Sequence, residues 1–173
     1  MKEMQMTTNR LTIRQIAPED WQGLQRIAMD FCRSKYVLYD FPLPTGEEEI
    51  KALTKKFAES QLFFAVFCKD SDEMIGYVCF HNEDGNYDLG YCFHSAHHGK
   101  GYAFESCEAV MGYVAQNHSV KHFTAGTALQ NLPSVKLLEK LGFVLQKTEF
   151  LSFHKDAHGD DIVFEGGNFV KLF

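Results

Sequence analysis

His98-Gly99-Lys100-Gly101-Tyr102-Ala103 stands at a change of period in the chain. Before it, Tyr87 to His94 reads as a strand. After it, Ala103, Phe104, Cys107, Val110, Met111 and Val114 mark one face of a helix ending near Asn117. Glycines at such a junction have a physical use. The first N–H groups of a helix lack intrahelical partners, and the helix dipole favours negative charge there by roughly 0.3–1 kcal/mol. Positions without a Cβ let a phosphate approach the backbone closely. The loop therefore points to an anion, most naturally a phosphate or pyrophosphate.

Two familiar phosphate loops do not fit. A P-loop needs Ser or Thr after Gly-Lys and a Gly five residues earlier, but Gly101 and His94 occupy those positions. The dinucleotide-binding pattern needs a third Gly at 104, where Phe104 stands, and it follows the first strand of its unit. Here the loop follows the fourth expected strand.

Working outward, Leu11 to Ile16 alternates as a strand, and Ala17-Pro18-Glu19-Asp20 starts a helix running to about Ser34. Tyr36 to Pro44 is an aromatic loop. A second helix starts at Thr45-Gly46-Glu47-Glu48 and runs to about Glu59. Leu62 to Cys68, Met74 to His81 and Tyr87 to His94 form a meander joined by tight turns. Lys121 to Thr127 is a strand, and Asn131 to Leu141 is a short helix ended by Gly142. Phe143 to Phe153 and Asp161 to Leu172 close the chain as strands around His158-Gly159. The strand–helix–strand crossover around the glycine loop implies one parallel pair in an otherwise antiparallel sheet. The expected class is α/β (α+β), with about seven strands and helices on both faces.

The 173 residues suit one domain spanning 1–173, with Met1 to Asn9 expected as a loose N-terminus. Apolar residues make up 45%, and sixteen Phe predict a core of large rings. The net charge of −6 argues against a nucleic-acid partner. Five Cys without Cys-x-x-Cys spacing read as buried free thiols of a reducing compartment. There is no apolar run of membrane-spanning length and no leader pattern, so a cytoplasmic protein with no membrane partner is expected. Eight His show no metal-ligand spacing, and no metal is expected.

The glycine loop resembles the signature of the GNAT superfamily of N-acetyltransferases, Gln/Arg-x-x-Gly-x-Gly/Ala at a helix start. Gly101 and Ala103 match, whereas His98 stands where Gln or Arg is usual. A second block, Asn131-Leu132-Pro133-Ser134 through Leu141-Gly142-Phe143, resembles the family's Asn-x-x-Ser…Leu-Gly-Phe segment. Leu11-Thr12-Ile13-Arg14, Phe64-Ala65-Val66 and Ile75-Gly76-Tyr77-Val78 are similar to the branch that includes ribosomal-protein N-terminal acetyltransferases. The resemblance covers residues 10 to 150.

This resemblance implies a GNAT fold, acetyl-CoA as co-substrate, and transfer to a primary amine on a small molecule or peptide N-terminus. It places the pyrophosphate on His98, Gly99, Lys100, Gly101, Tyr102 and Ala103. Backbone amides carry that contact, and Lys100 supplies charge. A backbone N–H at Cys92 or Phe93 would polarise the thioester carbonyl. Asn131 would contact the pantetheine arm, cap its helix, or both. The Ser134 hydroxyl would protonate the leaving thiolate, bind CoA, or only complete a capping bond.

Asp88 is the candidate base, with His81 and Glu83 as weaker ones. An α-amine of pKa about 7.7–8 needs little help, whereas a lysine near 10.4 needs much more. Tyr36, Tyr39 and Phe41 lie where acceptors are commonly lined. Two further expectations follow: the strand-rich C-terminus is a possible homodimer surface, and the alternative to catalysis is an acyl-CoA-binding sensor module on the same fold.

Overall fold

The computed structural model describes residues 4–172. Eight strands share one sheet: β1 (Gln5–Thr7), β2 (Leu11–Gln15), β3 (Phe63–Cys68), β4 (Glu73–Glu83), β5 (Asn86–Phe93), β6 (His122–Ala128), β7 (Val144–Lys155) and β8 (Asp161–Leu172). Their spatial order is β1-β2-β3-β4-β5-β6-β8-β7. Four helices pack on the sheet: α1 (Trp21–Phe31), α2 (Glu47–Ser60), α3 (Tyr102–Asn117) and α4 (Leu132–Lys140). Every pairing is antiparallel except β5 with β6, which the α3 crossover joins in parallel.

Strand β3 shows why the sequence there is continuously apolar. Phe64, Val66 and Cys68 face one core with Cys107, Val110 and Leu138 of α3 and α4. Phe63 and Ala65 face a second core with Leu24, Ile27 and Ile50 of α1 and α2. A strand covered on both faces has no polar side to present. The β4–β5 turn is Asp84-Gly85, with φ of +51° and +87°. That two-residue turn matches the twist of the strands it joins, and it sets the register Glu83↔Asn86.

The sheet has eight strands rather than about seven. The added one is Gln5–Thr7, which pairs with β2 from Gln5↔Arg14 to Thr7↔Thr12. The expected loose N-terminus is therefore not loose over these residues, while Met1 to Glu3 lie outside the described residues. The Thr8 hydroxyl accepts from the Leu11 N–H at 3.0 Å and closes the turn. Met4 and Met6 pack against the α3–α4 core. A short polar segment carries no readable period, and its ordering comes from pairing with β2 and from packing on the distant α3–α4 core.

The helix expected from Ala17 is divided. Pro18–Asp20 forms a 3-10 turn before α1. Asp20 holds that corner through two bonds from the Arg14 guanidinium, at 2.7 and 2.8 Å.

The feature that matters for function is where β5 and β6 part. They pair only at Asn86↔His122, Tyr87↔Phe123 and Asp88↔Thr124. Beyond Thr124, β6 continues to Ala128 paired with β8. Leu89 to Phe93 pair with β4 but not with β6. The two central strands thus open into a fork, with α3 following the β5 arm and α4 following the β6 arm.

Candidate active site

One end of the fork is the glycine loop. Gly99 has φ +73° and Gly101, which caps α3, has φ +82°. Other L-residues pay roughly 1–2 kcal/mol for such a conformation. A Cβ at Gly99 would meet nothing within 4 Å, so this glycine serves the backbone turn and leaves the approach open. Helix geometry leaves the N–H groups of Tyr102, Ala103 and Phe104 without intrahelical acceptors, and the first helical bond runs from Glu105 N–H to the Gly101 carbonyl. Lys100 is exposed beside them.

His98 does something different from a Gln or Arg at this place. Its Nε2 donates to the Phe93 carbonyl at 2.7 Å. The ring ties the loop back to β5.

Arg10, which belongs to no motif in the sequence, completes the loop. Lying between β1 and β2, it donates from Nη1 to the Lys100 carbonyl at 2.7 Å. Its Nε and Nη2 grip the Glu105 carboxylate at 2.7 and 2.6 Å, and its guanidinium lies 4.5 Å from the Tyr102 ring centroid. Thr8 donates to the same carboxylate. Burial alone would raise the Glu105 pKa, but the bonds from Thr8 and Arg10 outweigh it and hold the carboxyl below its usual range. No local pattern around Arg10 announces a partner at Lys100 or Glu105.

The other end of the fork joins β5 to α4. Asn131 Oδ1 accepts from the Ser134 N–H at 3.3 Å, the expected cap. The Ser134 hydroxyl lies 2.6 Å from the Tyr91 hydroxyl. Burial pushes the Tyr91 phenol pKa up, with the Ser134 bond partly opposing it, so the phenol stays protonated.

Strand alternation separates the two amide candidates. The His94 N–H bonds the Ile75 carbonyl on β4, so the Cys92 N–H two residues earlier points the same way. The Phe93 N–H then points toward the fork. Cys92 also turns its thiol away, into the α1–α2 side, where burial raises it to about 12. Of the two N–H groups, that of Phe93 faces the fork and that of Cys92 faces β4.

On the α1–α2 side a cavity of about 300 Å³ opens beside the fork. Asp40, Asp88 and Glu149 line it with Tyr36, Tyr39 and Asn131, and no Lys, Arg or His is among its lining residues. The α1–α2 loop roofs it by contacts with the β7–β8 hairpin. Phe41 packs against Phe153 with ring centroids 4.4 Å apart, Tyr39 meets Phe164 at 5.2 Å, and His154 Nε2 donates to the Asp40 carbonyl at 2.6 Å.

Asp88 sits at the last β5–β6 pair and accepts from the Thr124 hydroxyl at 2.8 Å. Crowding by protein raises its pKa more than the Thr124 bond and the nearby His81 lower it. Crowding likewise raises Asp40, against the Phe41 N–H and His154. His81 lies opposite Asp88 on β4, and Glu83 is at the far end of the hairpin, opposite Asn86.

Among the described residues no group of three or more His, Cys, Asp or Glu forms a metal site, and no helix is long and apolar enough to cross a membrane. All five cysteines are free, and Cys32, unlike the expectation of burial, is exposed.

A model of the acetyltransferase (GNAT) domain matches residues 10–144, which include the fork, the glycine loop and α4. The chain belongs to the GNAT acetyltransferase family. The uncharacterized N-acetyltransferase YnaD of Bacillus subtilis is 30% identical over 145 residues, covering 80% of this chain and 82% of YnaD. The GNAT fold seen here is shared with the ribosomal-protein-S5-alanine acetyltransferase of Vibrio fischeri at a TM-score of 0.82 and 17% identity, covering 98% and 97% of the two chains. RimL, a ribosomal L7/L12 alpha-N-protein acetyltransferase solved in complex with coenzyme A, superposes at a TM-score of 0.77 with 15% identity and 98% coverage of each chain.

Proposed function

We propose that this GNAT protein moves an acetyl group from acetyl-CoA to a primary amine, either a peptide N-terminus or a small amine, by direct attack in a ternary complex. The reading is carried by one observation: the fork beyond Asp88–Thr124 has a glycine-capped helix start on one side and an acid-lined cavity on the other. Family membership and the coenzyme A complex of RimL support acetyl-CoA as the donor.

Each part of the chain then has a task. The amides of Gly101 to Phe104, with Lys100, hold the pyrophosphate. Open backbone edges of Leu89 to Phe93 pair with the pantetheine amides, and Asn131 closes on the arm. The Phe93 N–H donates to the thioester oxygen as charge develops there, a role worth about 2.7–4 kcal/mol in a preorganised site. The acidic cavity concentrates cationic amines. Asp88, raised by crowding, takes the proton that the amine loses, directly or through water. Holding both reactants together supplies much of the acceleration.

The test is calorimetric titration with acetyl-CoA, followed by a CoA-release assay across N-terminal peptides, small amines and polyamines. Binding with turnover on one class of amine supports the reading. Binding without turnover on any amine would favour the sensor alternative, and absence of binding would remove both.

A further inference from the structure

The Tyr91–Ser134 contact is a polar bridge between β5 and α4 that the reaction as described leaves unused. Tyr91 lies on β5 beyond the last β6 pair, on the α3–α4 face opposite to Asp88. Its hydroxyl is 2.6 Å from the Ser134 oxygen, which suits a strong O–H···O bond. Ser134 itself is fixed by its N–H bond to Asn131 Oδ1 in the first turn of α4. A serine hydroxyl has one hydrogen and two acceptor sites. Which way the shared hydrogen points therefore decides whether Ser134 can donate elsewhere.

The direction follows from the partners. Among the described residues the buried Tyr91 hydroxyl has no hydrogen-bond partner other than Ser134. Its hydrogen, kept on the phenol by burial, is satisfied only if it is donated to Ser134. With Tyr91 as the donor, the Ser134 hydrogen is free for another acceptor.

We infer that Tyr91 is a positioning residue that aims the Ser134 hydroxyl as a hydrogen-bond donor to the sulfur of the departing CoA thiolate. The inference rests on the acetyl-transfer reading above. In the step concerned, the amine lone pair forms the C–N bond and the C–S bond breaks. Its electron pair goes to sulfur, where Ser134 O–H donates to the new thiolate without giving up its proton. The amine proton goes to Asp88 or water, and the thiolate takes a proton from solvent on release. Hydrogen bonds to an ionised acceptor are roughly twice as strong as neutral ones, so this donor acts mainly as charge develops on sulfur.

The experiment compares wild type, Tyr91→Phe, Ser134→Ala and the double variant. Two quantities are read: steady-state kinetics with acetyl-CoA, and the pKa of the thiol of bound CoA from the ultraviolet absorbance of its thiolate. Wild type is expected to lower the bound thiol pKa relative to free CoA. Tyr91→Phe and Ser134→Ala are each expected to raise it by about one unit, since loss of a hydrogen bond to the charged form disfavours that form. Tyr91→Phe should lower kcat about tenfold with KM for acetyl-CoA held within about twofold, and the double variant should match Ser134→Ala alone. A Tyr91→Phe enzyme with the wild-type kcat and bound-thiol pKa overturns the inference, as does an additive double variant. A wild-type chain that turns over no amine would overturn the acetyl-transfer reading instead, and the thiol titration would still report on Tyr91 and Ser134.

Discussion

Arg10 and Lys100 stand 90 residues apart in the chain, yet Arg10 Nη1 donates to the Lys100 carbonyl at 2.7 Å. The N-terminal hairpin thereby braces the glycine loop from outside, on the flank where Glu105 faces Thr8 and Arg10. Replacing Arg10 with Ala should weaken acetyl-CoA binding about tenfold, equivalent to ~1.4 kcal/mol. The stability loss should be small, because the Arg10 and Glu105 side chains are 41% and 19% exposed and such pairs contribute only about 0–1 kcal/mol. Arg10→Lys should not restore affinity, since an ammonium cannot reach Lys100 and Glu105 as a fork does. Calorimetry and a thermal melt measure both effects, and an unchanged affinity would detach Arg10 from the loop's function.

Gly101 offers a sharper test of the same loop. Its φ is +82°, and an added Cβ would stand 3.4 Å from Arg10 Nη2. Gly101→Ala should cost roughly 1–2 kcal/mol locally and reduce acetyl-CoA affinity. Gly101→Glu adds a negative charge at the helix start and should abolish binding while circular dichroism keeps the wild-type form. Retained affinity in Gly101→Glu would take the loop out of the binding site.

The pH dependence tests Asp88. Thr124 donates to its carboxylate and so favours the charged form. Crowding already raises the Asp88 pKa above its ordinary 3.8. If Asp88 accepts the proton, kcat/KM falls as pH drops through this raised value. Thr124→Val removes the bond, raises the pKa further, and should move that acid limb to higher pH. Asp88→Asn should lower kcat by about 10²–10⁴-fold and remove the limb. An acid limb that does not move in Thr124→Val would assign it to another group.

The cavity roof predicts an effect confined to the acceptor. Phe153 packs against Phe41 at 4.4 Å and against Phe164 at 5.2 Å. Phe153→Ala should loosen the α1–α2 loop over the cavity and raise KM for the amine several-fold, while KM for acetyl-CoA stays constant. Such a split separates loss of binding from loss of transition-state contacts. An effect on acetyl-CoA alone would place the roof on the donor side.

Part of this site is legible in the order of the residues. Gly101 and Asn131 announce themselves because a positive-φ cap and a helix N-cap are local requirements that only a few residue types satisfy. Asp88 is legible as an acid on the strand that precedes the loop. Tyr91 is not, because an aromatic residue in an apolar strand looks the same whether it fills a core or meets a serine 43 positions away. The choice between Cys92 and Phe93 is hidden for a related reason. The direction of each N–H depends on the pairing with β4, and the sequence does not contain that register in local form.

By itself, the sequence determined the order of the elements from β2 onward, the parallel crossover and the glycine loop between strand and helix, and its motifs resembled those of the family. The elements and the loop rest on periodicity or turn chemistry within a few residues. The tertiary structure alone decided how far β5 and β6 pair until they part, that Arg10 braces Lys100, that Tyr91 meets Ser134, and that Asp40, Asp88 and Glu149 share one cavity. These are contacts between residues distant in the chain. They exist only once the two cores on either side of the sheet have been packed.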